Sequence, residues 1–126
     1  MKKTAISTDK APGAVGPYSQ AVRIGDFLFL SGQIPIDPAT KAIVPGGVEA
    51  QAEQVFKNIK AVLAEAGAEM SNVVKATVFL KDMGDFKKVN EIYASHFQEP
   101  YPARSAVAVK ELPLSVDIEI EIIAHF

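Results

Sequence analysis

The sequence predicts an α+β fold, a single mixed sheet of about six strands covered on one face by two helices. The chain has 126 residues, of which 48% are apolar and 22% are charged, a profile typical of one domain with one core. Short runs rich in branched apolar residues are typical of strands. Two longer segments repeat apolar residues every three or four positions, as helices do. The order is strand, strand, helix, strand, helix, strand, strand, without a repeat or linker, so residues 1–126 are expected to form a single domain.

The first two strands are predicted to form a hairpin. The runs QAVRI at 20–24 and FLFLSG at 27–32 are separated by Gly25-Asp26, a pair suited to a tight turn. Residues 33–47 then contain three prolines and end in two glycines. This composition predicts an ordered loop without a regular element.

Apolar periodicity predicts the remaining elements. The first helix is expected from Val48 to Ala66, where apolar residues recur at three- and four-residue steps and Gly67 follows as a stop signal. The segment NVVKATVFL at 72–80 is rich in branched residues and predicts a buried strand. The last three predicted elements are a helix over 85–97 and strands over 103–110 and 116–124.

The apolar pattern also predicts self-association. Two helices can cover only one face of the sheet, yet the strands FLFL, VVKATVFL and IEIEII carry apolar residues on more than one side. The second face therefore needs cover as well.

Composition excludes several partners and chemistries. The net charge of -2 gives no basic field for nucleic acid or an anionic membrane. No apolar run reaches membrane-spanning length, and the first residues lack the apolar core of a secretory signal. The chain has no cysteine, which excludes thiolate chemistry and fits a reducing compartment. A cytoplasmic protein is therefore expected.

No metal or cofactor is expected. His96 and His125 have no acidic or histidine companion at ligand spacing. The sequence contains no phosphate-binding glycine loop, dinucleotide fingerprint or nucleophile elbow.

Arg104 is the first candidate for a binding residue. Alternation along its strand places it on one face with Ala106, Ala108 and Lys110. The nearest acidic residue before it, Glu99, lies beyond two prolines. A solvated or ion-paired arginine is the ordinary explanation, but a guanidinium with space beside it also binds a carboxylate or phosphate in bidentate fashion. A small anionic ligand is therefore a fair hypothesis.

Glu119 is the second candidate. Alternation in the last strand places Asp117, Glu119 and Glu121 on one face and isoleucines on the other. Asp117 and Glu121 are expected to form a solvated acidic edge. Glu119 lies in mid-strand, where neighbouring strands would shield it and raise its affinity for a proton. Such a carboxyl can position or activate water, but from the spacing alone a solvated carboxylate is the ordinary explanation.

Two further motifs, GPYSQAV and SGQIP, contain candidate lining residues. Gly32 permits close approach of a ligand to the backbone and Ser31 adds a hydroxyl, unless the pair only ends a strand. Tyr18 follows a Gly-Pro turn and is either a fixed aromatic wall or a packed loop residue. Asn90, in the second helix, is by itself expected to be solvated.

Together, these motifs resemble those of the reactive intermediate deaminases, the RidA or YjgF-like family. The resemblance covers nearly the whole chain and rests most strongly on PARS followed by IEIE at this spacing. The motifs are GPYSQAV at 16–22, SGQIP at 31–35, VVKATVFLKDMGDF at 73–86, VNEIY at 89–93, PARSAVAV at 102–109 and IEIE at 118–121. The resemblance implies a fold similar to that of chorismate mutase, assembled as a homotrimer with its sites between subunits.

The resemblance also implies an activity, the hydrolysis of 2-imino acids or their parent enamines to 2-keto acids and ammonia without a cofactor. These intermediates are released by pyridoxal-phosphate enzymes such as threonine and serine dehydratases. Arg104 matches the family arginine that binds the substrate carboxylate, and Glu119 matches the glutamate that holds the attacking water. The other matching positions in the family's cleft are Tyr18, Ser31, Gly32 and Asn90. The resemblance also implies that Ala106 lies against the substrate. Many members have a cysteine at this position, so that cysteine cannot be essential to an activity of this chain, although the shape and selectivity of the pocket can differ.

Two other functions stay open on the sequence. A non-catalytic binder of small carboxylates such as 2-keto acids would keep Arg104 but lack water activation. Family members have also been described as ribonucleases or translation inhibitors, and the net charge of -2 without a basic stripe argues against that role here.

Overall fold

The computed structural model describes residues 1–126 and contains eight strands and two α-helices. The strands are β1 (Thr4–Ile6), β2 (Ala21–Ile24), β3 (Phe27–Leu30), β4 (Ile36–Asp37), β5 (Ala42–Ile43), β6 (Val73–Leu80), β7 (Ala103–Ala108) and β8 (Ile118–His125). The α-helices are α1 (Gly47–Glu65) and α2 (Phe86–His96), and single 3₁₀ turns occupy Met70–Asn72, Met83–Asp85 and Pro113–Ser115. Neither α-helix combines the length and apolar content that crossing a membrane requires.

Six strands form one mixed sheet in the order β1-β2-β3-β8-β6-β7. Only β6 and β7 are parallel, and the other neighbouring pairs are antiparallel. A parallel pair needs a long crossover connection, which α2 supplies between β6 and β7. The predicted mixed sheet with two helices is therefore confirmed.

Both helices end and pack as the apolar periodicity predicts. The buried side chains of α1 form one stripe, made of Val48, Gln51, Ala52, Val55, Phe56, Asn58, Ile59, Val62 and Leu63. Gly67 has a φ of 79°, a left-handed conformation in which glycine carries no Cβ penalty, and it ends the helix. In α2 the buried side chains are Val89 and Tyr93.

Two parts of the fold differ from the prediction. The segment 33–47 is not free of regular structure, because β4 and β5 pair within it as a separate small sheet. Each of these strands has two residues, too few to show an alternating pattern. The strand β1 was also missed; it pairs with β2 at the sheet edge and is mostly exposed, so its sequence shows no apolar face.

The sheet has a covered face, on which the two helices pack, and an open face. On the covered face, alternate residues of β6 and β8 are at most 2% exposed: Ala76, Val78, Leu80, Ile118, Ile120 and Ile122. On the open face, Phe27, Phe29 and Val107 are 44%, 43% and 44% exposed. The predicted excess of apolar surface is therefore present, on the face that the helices leave uncovered.

A buried polar residue, Asn58, fixes the segment after β3 to α1. Its side chain is fully buried, and its Nδ2 donates to the carbonyls of Ile34 and Ile36, both at 3.0 Å. These bonds give the buried Asn58 amide group two acceptors and join α1 to the chain at Ile34 and Ile36. The segment that follows Ser31 and Gly32 is thereby attached to α1.

Candidate active site

Glu119 lies on the open face in the middle of β8, opposite Phe79 of β6. Its side chain is half-buried. Burial raises the pKa of the Glu119 carboxyl, and repulsion from the neighbouring Glu121 raises it further. This agrees with the expectation from its mid-strand position and makes Glu119 a carboxyl that can hold or release a proton nearer neutral pH.

The segment after β3 is joined to β8 beside Glu119. The backbone N–H of Gln33 donates to the carbonyl of Ile120 at 2.8 Å, and the N–H of Ile120 donates back to the carbonyl of Gln33 at 3.1 Å. This pair of bonds brings Gly32 against the Glu119 carboxyl. A Cβ at position 32 would overlap Oε2 of Glu119 and lie 2.8 Å from its Cδ. The close approach that glycine permits here is therefore to a carboxyl of its own chain.

A cavity of about 660 Å³ opens beside Glu119. The sequence candidates in its lining are Tyr18, Ser31, Gly32 and Glu119. Ser31 Oγ donates to the carbonyl of Ser19 at 2.6 Å, so its proton is committed and its oxygen can only accept a further bond. Tyr18 is 49% exposed and forms a wall of the cavity rather than packing inside a loop.

Arg104 lies on the covered face, on β7, where it is opposite Ala76 and beside α2. Its Nη1 donates to Oδ1 of Asn90 at 2.7 Å, and its guanidinium carbon lies 4.7 Å from the ring centre of Tyr93. Arg104 forms no ion pair. Its remaining N–H groups are therefore free of carboxylate partners and can bind an anion.

A second cavity, of about 430 Å³, lies beside Arg104. Its lining consists of Asn90, Tyr93, Ala94, Tyr101, Pro102 and Arg104. Asn90 is exposed, as its position in the helix predicts, but its side chain holds Arg104 rather than facing only solvent. The resemblance-based assignment of Asn90 and Arg104 to one site is thus geometrically consistent.

The two cavities lie on opposite faces of one sheet. Arg104 shares its face with Ala76 of β6, whereas Glu119 shares its face with Phe79. Because side chains alternate along β6, positions 76 and 79 point to opposite sides. Within one chain, the sheet therefore lies between the side chains of Arg104 and Glu119.

Two other sequence candidates have different surroundings from those expected. Ala106 is opposite Val78 and packs against the core; it lines neither of the two cavities. Asp117 does not belong to a solvated edge, because Gln51 Nε2 donates to its carboxylate at 3.3 Å and its N–H donates to Gln51 Oε1 at 2.8 Å. Glu121 is exposed, as expected.

The apolar spacing of the second helix accounts for Tyr93 only as a residue of its core face. Tyr93 is indeed 4% exposed, yet it also contacts Arg104. Burial raises the pKa of its hydroxyl, and the Arg104 charge offsets part of that rise. The available signal was the spacing of Asn90 and Tyr93, because residues three apart lie on one side of a helix.

The described side chains include groups suited to anion binding and to proton transfer. No group of three or more histidine, aspartate or glutamate side chains is placed to hold a metal ion. The chemistry that the described residues can provide is anion binding at Arg104 and proton exchange at Glu119.

Comparison with known proteins identifies close relatives. The family model described as Endoribonuclease L-PSP matches residues 8–126. Reactive Intermediate Deaminase A of Arabidopsis thaliana, a chloroplast protein, is 52% identical over 98% of this chain and 66% of its own length. The 2-iminobutanoate/2-iminopropanoate deaminase of Mus musculus is 51% identical over 94% of this chain and 88% of its own length.

Solved structures share the whole fold. RidA from the Antarctic bacterium Psychrobacter sp. superposes with a TM-score of 0.94 at 49% identity and covers 98% of this chain and 99% of its own. The TdcF protein of E. coli, solved with bound serine, gives a TM-score of 0.92 at 44% identity and covers 98% of both chains.

The first prediction concerns the contact between Gly32 and Glu119. Gly32→Ala should lower the free energy of unfolding, because the new Cβ displaces the carboxyl of Glu119. In a Glu119→Ala background the same change should cost much less, and a coupling of about 1–3 kcal/mol is expected. Urea unfolding of the four proteins measures this coupling.

The matched control is Gly13→Ala, since a Cβ at position 13 has nothing within 4 Å. It should change stability little in either background. An equal cost of Gly32→Ala with and without Glu119 would show that the two side chains do not compete for space.

The second prediction concerns the raised pKa of Glu119. The folded state holds this proton at a pH where the unfolded chain has released it, so the Glu119 contribution to stability is lost as pH rises through the folded pKa. Glu119→Gln should therefore raise the unfolding free energy at neutral pH, with a gain that shrinks as pH falls through the raised folded pKa of Glu119 toward the ordinary glutamate range. Unfolding curves between acidic and neutral pH measure it.

Glu121→Gln provides the companion variant, because it removes the smaller cause of the shift. It should move the pH dependence assigned to Glu119 part of the way toward the ordinary glutamate range. A gain from Glu119→Gln that does not vary with pH would contradict the assignment.

Proposed function

This chain belongs to the Endoribonuclease L-PSP family, which includes the RidA (YjgF-like) reactive intermediate deaminases, and from that premise we propose that it hydrolyses reactive 2-imino acids. The proposed substrates are 2-iminobutanoate and 2-iminopropanoate, the latter formed from 2-aminoacrylate. The products are the corresponding 2-keto acids and ammonia. The whole chain, residues 1–126, acts as one RidA-like domain, without a cofactor.

The observation that carries the proposal is the arrangement around Arg104. A guanidinium without an ion-pair partner, oriented by Asn90 at 2.7 Å, suits the carboxylate that every 2-imino acid carries. Two parallel N–H···O bonds fix both the position and the plane of that carboxylate. The mouse relative is named for these same imino acids.

The active site forms between two copies of the chain. Arg104 and Glu119 lie on opposite faces of the sheet in one copy, so a site that uses both takes each from a different subunit. The apolar open face, with Phe27, Phe29 and Val107 exposed, supports burial against other copies. We assign the assembly as a homotrimer, with one such site at each of its interfaces.

The reaction needs few groups because the iminium carbon is already electrophilic. Arg104 of one subunit holds the carboxylate, and Glu119 of the next positions a water about 3 Å from C2. Glu119 accepts a proton as the water oxygen bonds to C2, and then returns it to the nitrogen. As the C–N bond breaks and the C2–O bond becomes double, Glu119 takes the remaining hydroxyl proton and passes it to the departing ammonia. One iminium and one water thus yield one 2-keto acid and one ammonium ion.

The remaining residues shape the space around the reacting carbon. Gly32 leaves room for the Glu119 carboxyl, and Ser31 offers an acceptor oxygen because its proton is already used. Tyr18 forms an aromatic wall of the Glu119 cavity. Ala106, at the position where many family members have cysteine, packs against the core and lines neither cavity.

The family's description as an endoribonuclease supplies the competing function. The chain has a net charge of -2, and nucleic-acid binding draws most of its affinity from positive charge near phosphates. Salt-sensitive binding of RNA by the purified protein would support that function over imine hydrolysis.

The third prediction is the loss of activity in Arg104→Ala. Threonine dehydratase acting on threonine generates 2-iminobutanoate in situ. The rate at which 2-iminobutanoate decays is then measured with and without the protein. Each hydrogen bond to a charged group is worth about 1.5–3 kcal/mol, so the acceleration should fall at least about a hundredfold. Arg104→Lys should recover only part, because lysine cannot form the bidentate pair.

The matched control is Arg23→Ala, since Arg23 also lies over an aromatic ring, that of Phe126, but away from both cavities. It should retain the wild-type rate. Near-normal turnover by Arg104→Ala would contradict the proposed site. A wild type that binds 2-oxobutanoate but leaves the imine untouched would identify a non-catalytic carboxylate binder.

The fourth prediction tests the shared site. Arg104→Ala and Glu119→Gln are each expected to be inactive as pure proteins. When they are unfolded, mixed in equal amounts and refolded together, about a quarter of the interfaces should pair an intact arginine with an intact glutamate. Imine hydrolysis should therefore return to about a quarter of the wild-type rate.

The control mixture combines Arg104→Ala with the double variant Arg104→Ala, Glu119→Gln, in which no subunit supplies the arginine. It should remain inactive. If the first mixture also stays inactive although mixed oligomers form, the two residues do not meet across an interface.

A further inference from the structure

Tyr93 is a buried titratable residue to which the proposed reaction gives no role. It is 4% exposed, and its hydroxyl has no hydrogen-bond partner. Its ring packs among other aromatic rings, with centres 6.0 Å from Phe56 and 4.6 Å from Phe97. The same ring has the Arg104 guanidinium carbon 4.7 Å from its centre. Tyr93 thus connects the aromatic core to the arginine.

Contacts to Arg104 come from the same side of α2. Asn90 accepts one hydrogen bond from Nη1 at 2.7 Å, which fixes one nitrogen but leaves the guanidinium plane free to turn about that point. An aromatic ring beside the guanidinium attracts it through the ring quadrupole and restricts this rotation. Phe86 adds a longer contact, at 5.3 Å. The plane matters, because bidentate binding requires two N–H groups to face the carboxylate together.

We propose that Tyr93 is a positioning residue, whose ring holds the Arg104 guanidinium in the plane that binds the substrate carboxylate. The inference deepens the proposed imine hydrolysis and rests on it. The ring carries the role rather than the hydroxyl, because the hydroxyl is buried and has no partner. A buried hydroxyl without a hydrogen bond also lowers stability.

The experiment compares Tyr93→Phe with Tyr93→Leu. Tyr93→Phe keeps the ring and should leave KM for 2-iminobutanoate within about twofold of wild type, with a higher melting temperature. Tyr93→Leu removes the ring and should raise KM, and the Kd for 2-oxobutanoate, by about 3- to 30-fold, with a smaller change in kcat. The Nε–H resonance of Arg104 should also shift, because it loses the ring current of Tyr93.

The matched control is Phe56→Leu. Phe56 is fully buried and packs on Tyr93, but it makes no cation–π contact with Arg104. It should lower stability as Tyr93→Leu does, without the rise in KM or Kd. If Tyr93→Leu is too unstable to purify, Tyr93→Met fills the same space without a ring and carries the same expectation.

Three outcomes would overturn the inference. Equal KM and Kd changes in Tyr93→Leu and Phe56→Leu would show a general packing effect. An equal loss in Tyr93→Phe and Tyr93→Leu would assign the role to the hydroxyl. Unchanged 2-oxobutanoate binding in Tyr93→Leu would show that the ring does not position Arg104.

The binding measurement separates this inference from the proposed function. If the wild type binds 2-oxobutanoate but does not hydrolyse the imine, the proposed hydrolase activity is contradicted. The Kd values of the variants for 2-oxobutanoate still test whether Tyr93 positions Arg104. Wild type that neither binds nor hydrolyses contradicts both.

Discussion

The alternation of side chains across β6, β7 and β8 is the constraint on which the rest of the site depends. Arg104 lies opposite Ala76 and Glu119 lies opposite Phe79. Positions 76 and 79 are three residues apart in β6, an odd number, so the side chains of Arg104 and Glu119 lie on opposite faces of the sheet. No rotamer change can carry a side chain through a sheet whose covered face is packed to at most 2% exposure at six alternate positions of β6 and β8. The separation is therefore a property of the register, and the proposed chemistry is tied to assembly.

The same alternation explains why each half of the site is built differently. On the covered face, α2 packs over the sheet and supplies Asn90 and Tyr93 to Arg104. On the open face there is no helix, and the segment after β3 supplies the neighbours of Glu119 instead. Backbone bonds between Gln33 and Ile120 hold that segment in place. The surroundings of Arg104 are thus fixed by helix packing, whereas those of Glu119 are fixed by backbone hydrogen bonds that extend the sheet.

Much of the fold is predictable from the sequence, because long periodic segments carry a strong signal. The two helices, the hairpin around Gly25 and the strands β6, β7 and β8 follow from apolar spacing. The strands β1, β4 and β5 do not, since they have two or three residues and little buried surface. The prediction that Asp117 is solvated was wrong because its hydrogen-bond partner, Gln51, is 66 positions away in the sequence, and local spacing does not show such a contact.

The candidate site is also only partly predictable from the sequence. Alternation correctly placed small residues beside Arg104, but it cannot say which face of a strand the helices cover. The sequence therefore could not show that Arg104 and Glu119 are on opposite sides. The contact between Tyr93 and Arg104 could not be predicted from the sequence. The apolar spacing of the helix already explains why Tyr93 is buried, so no unexplained feature of the sequence indicated a second role.

A site divided in this way links chemistry to association. The exposed Phe27, Phe29 and Val107 form an apolar surface on the open face, and in the proposed assembly other copies of the chain would shield it from water. When copies associate through that face, Glu119 loses further solvent, and desolvation is already the larger cause of its raised pKa. Assembly would thus both bring the arginine of one subunit to the glutamate of the next and move that glutamate closer to the proton affinity that water activation requires. A monomer that exposed the same residues would have neither property, so in the proposed trimer the apolar open face would serve the reaction as well as the stability of the assembly.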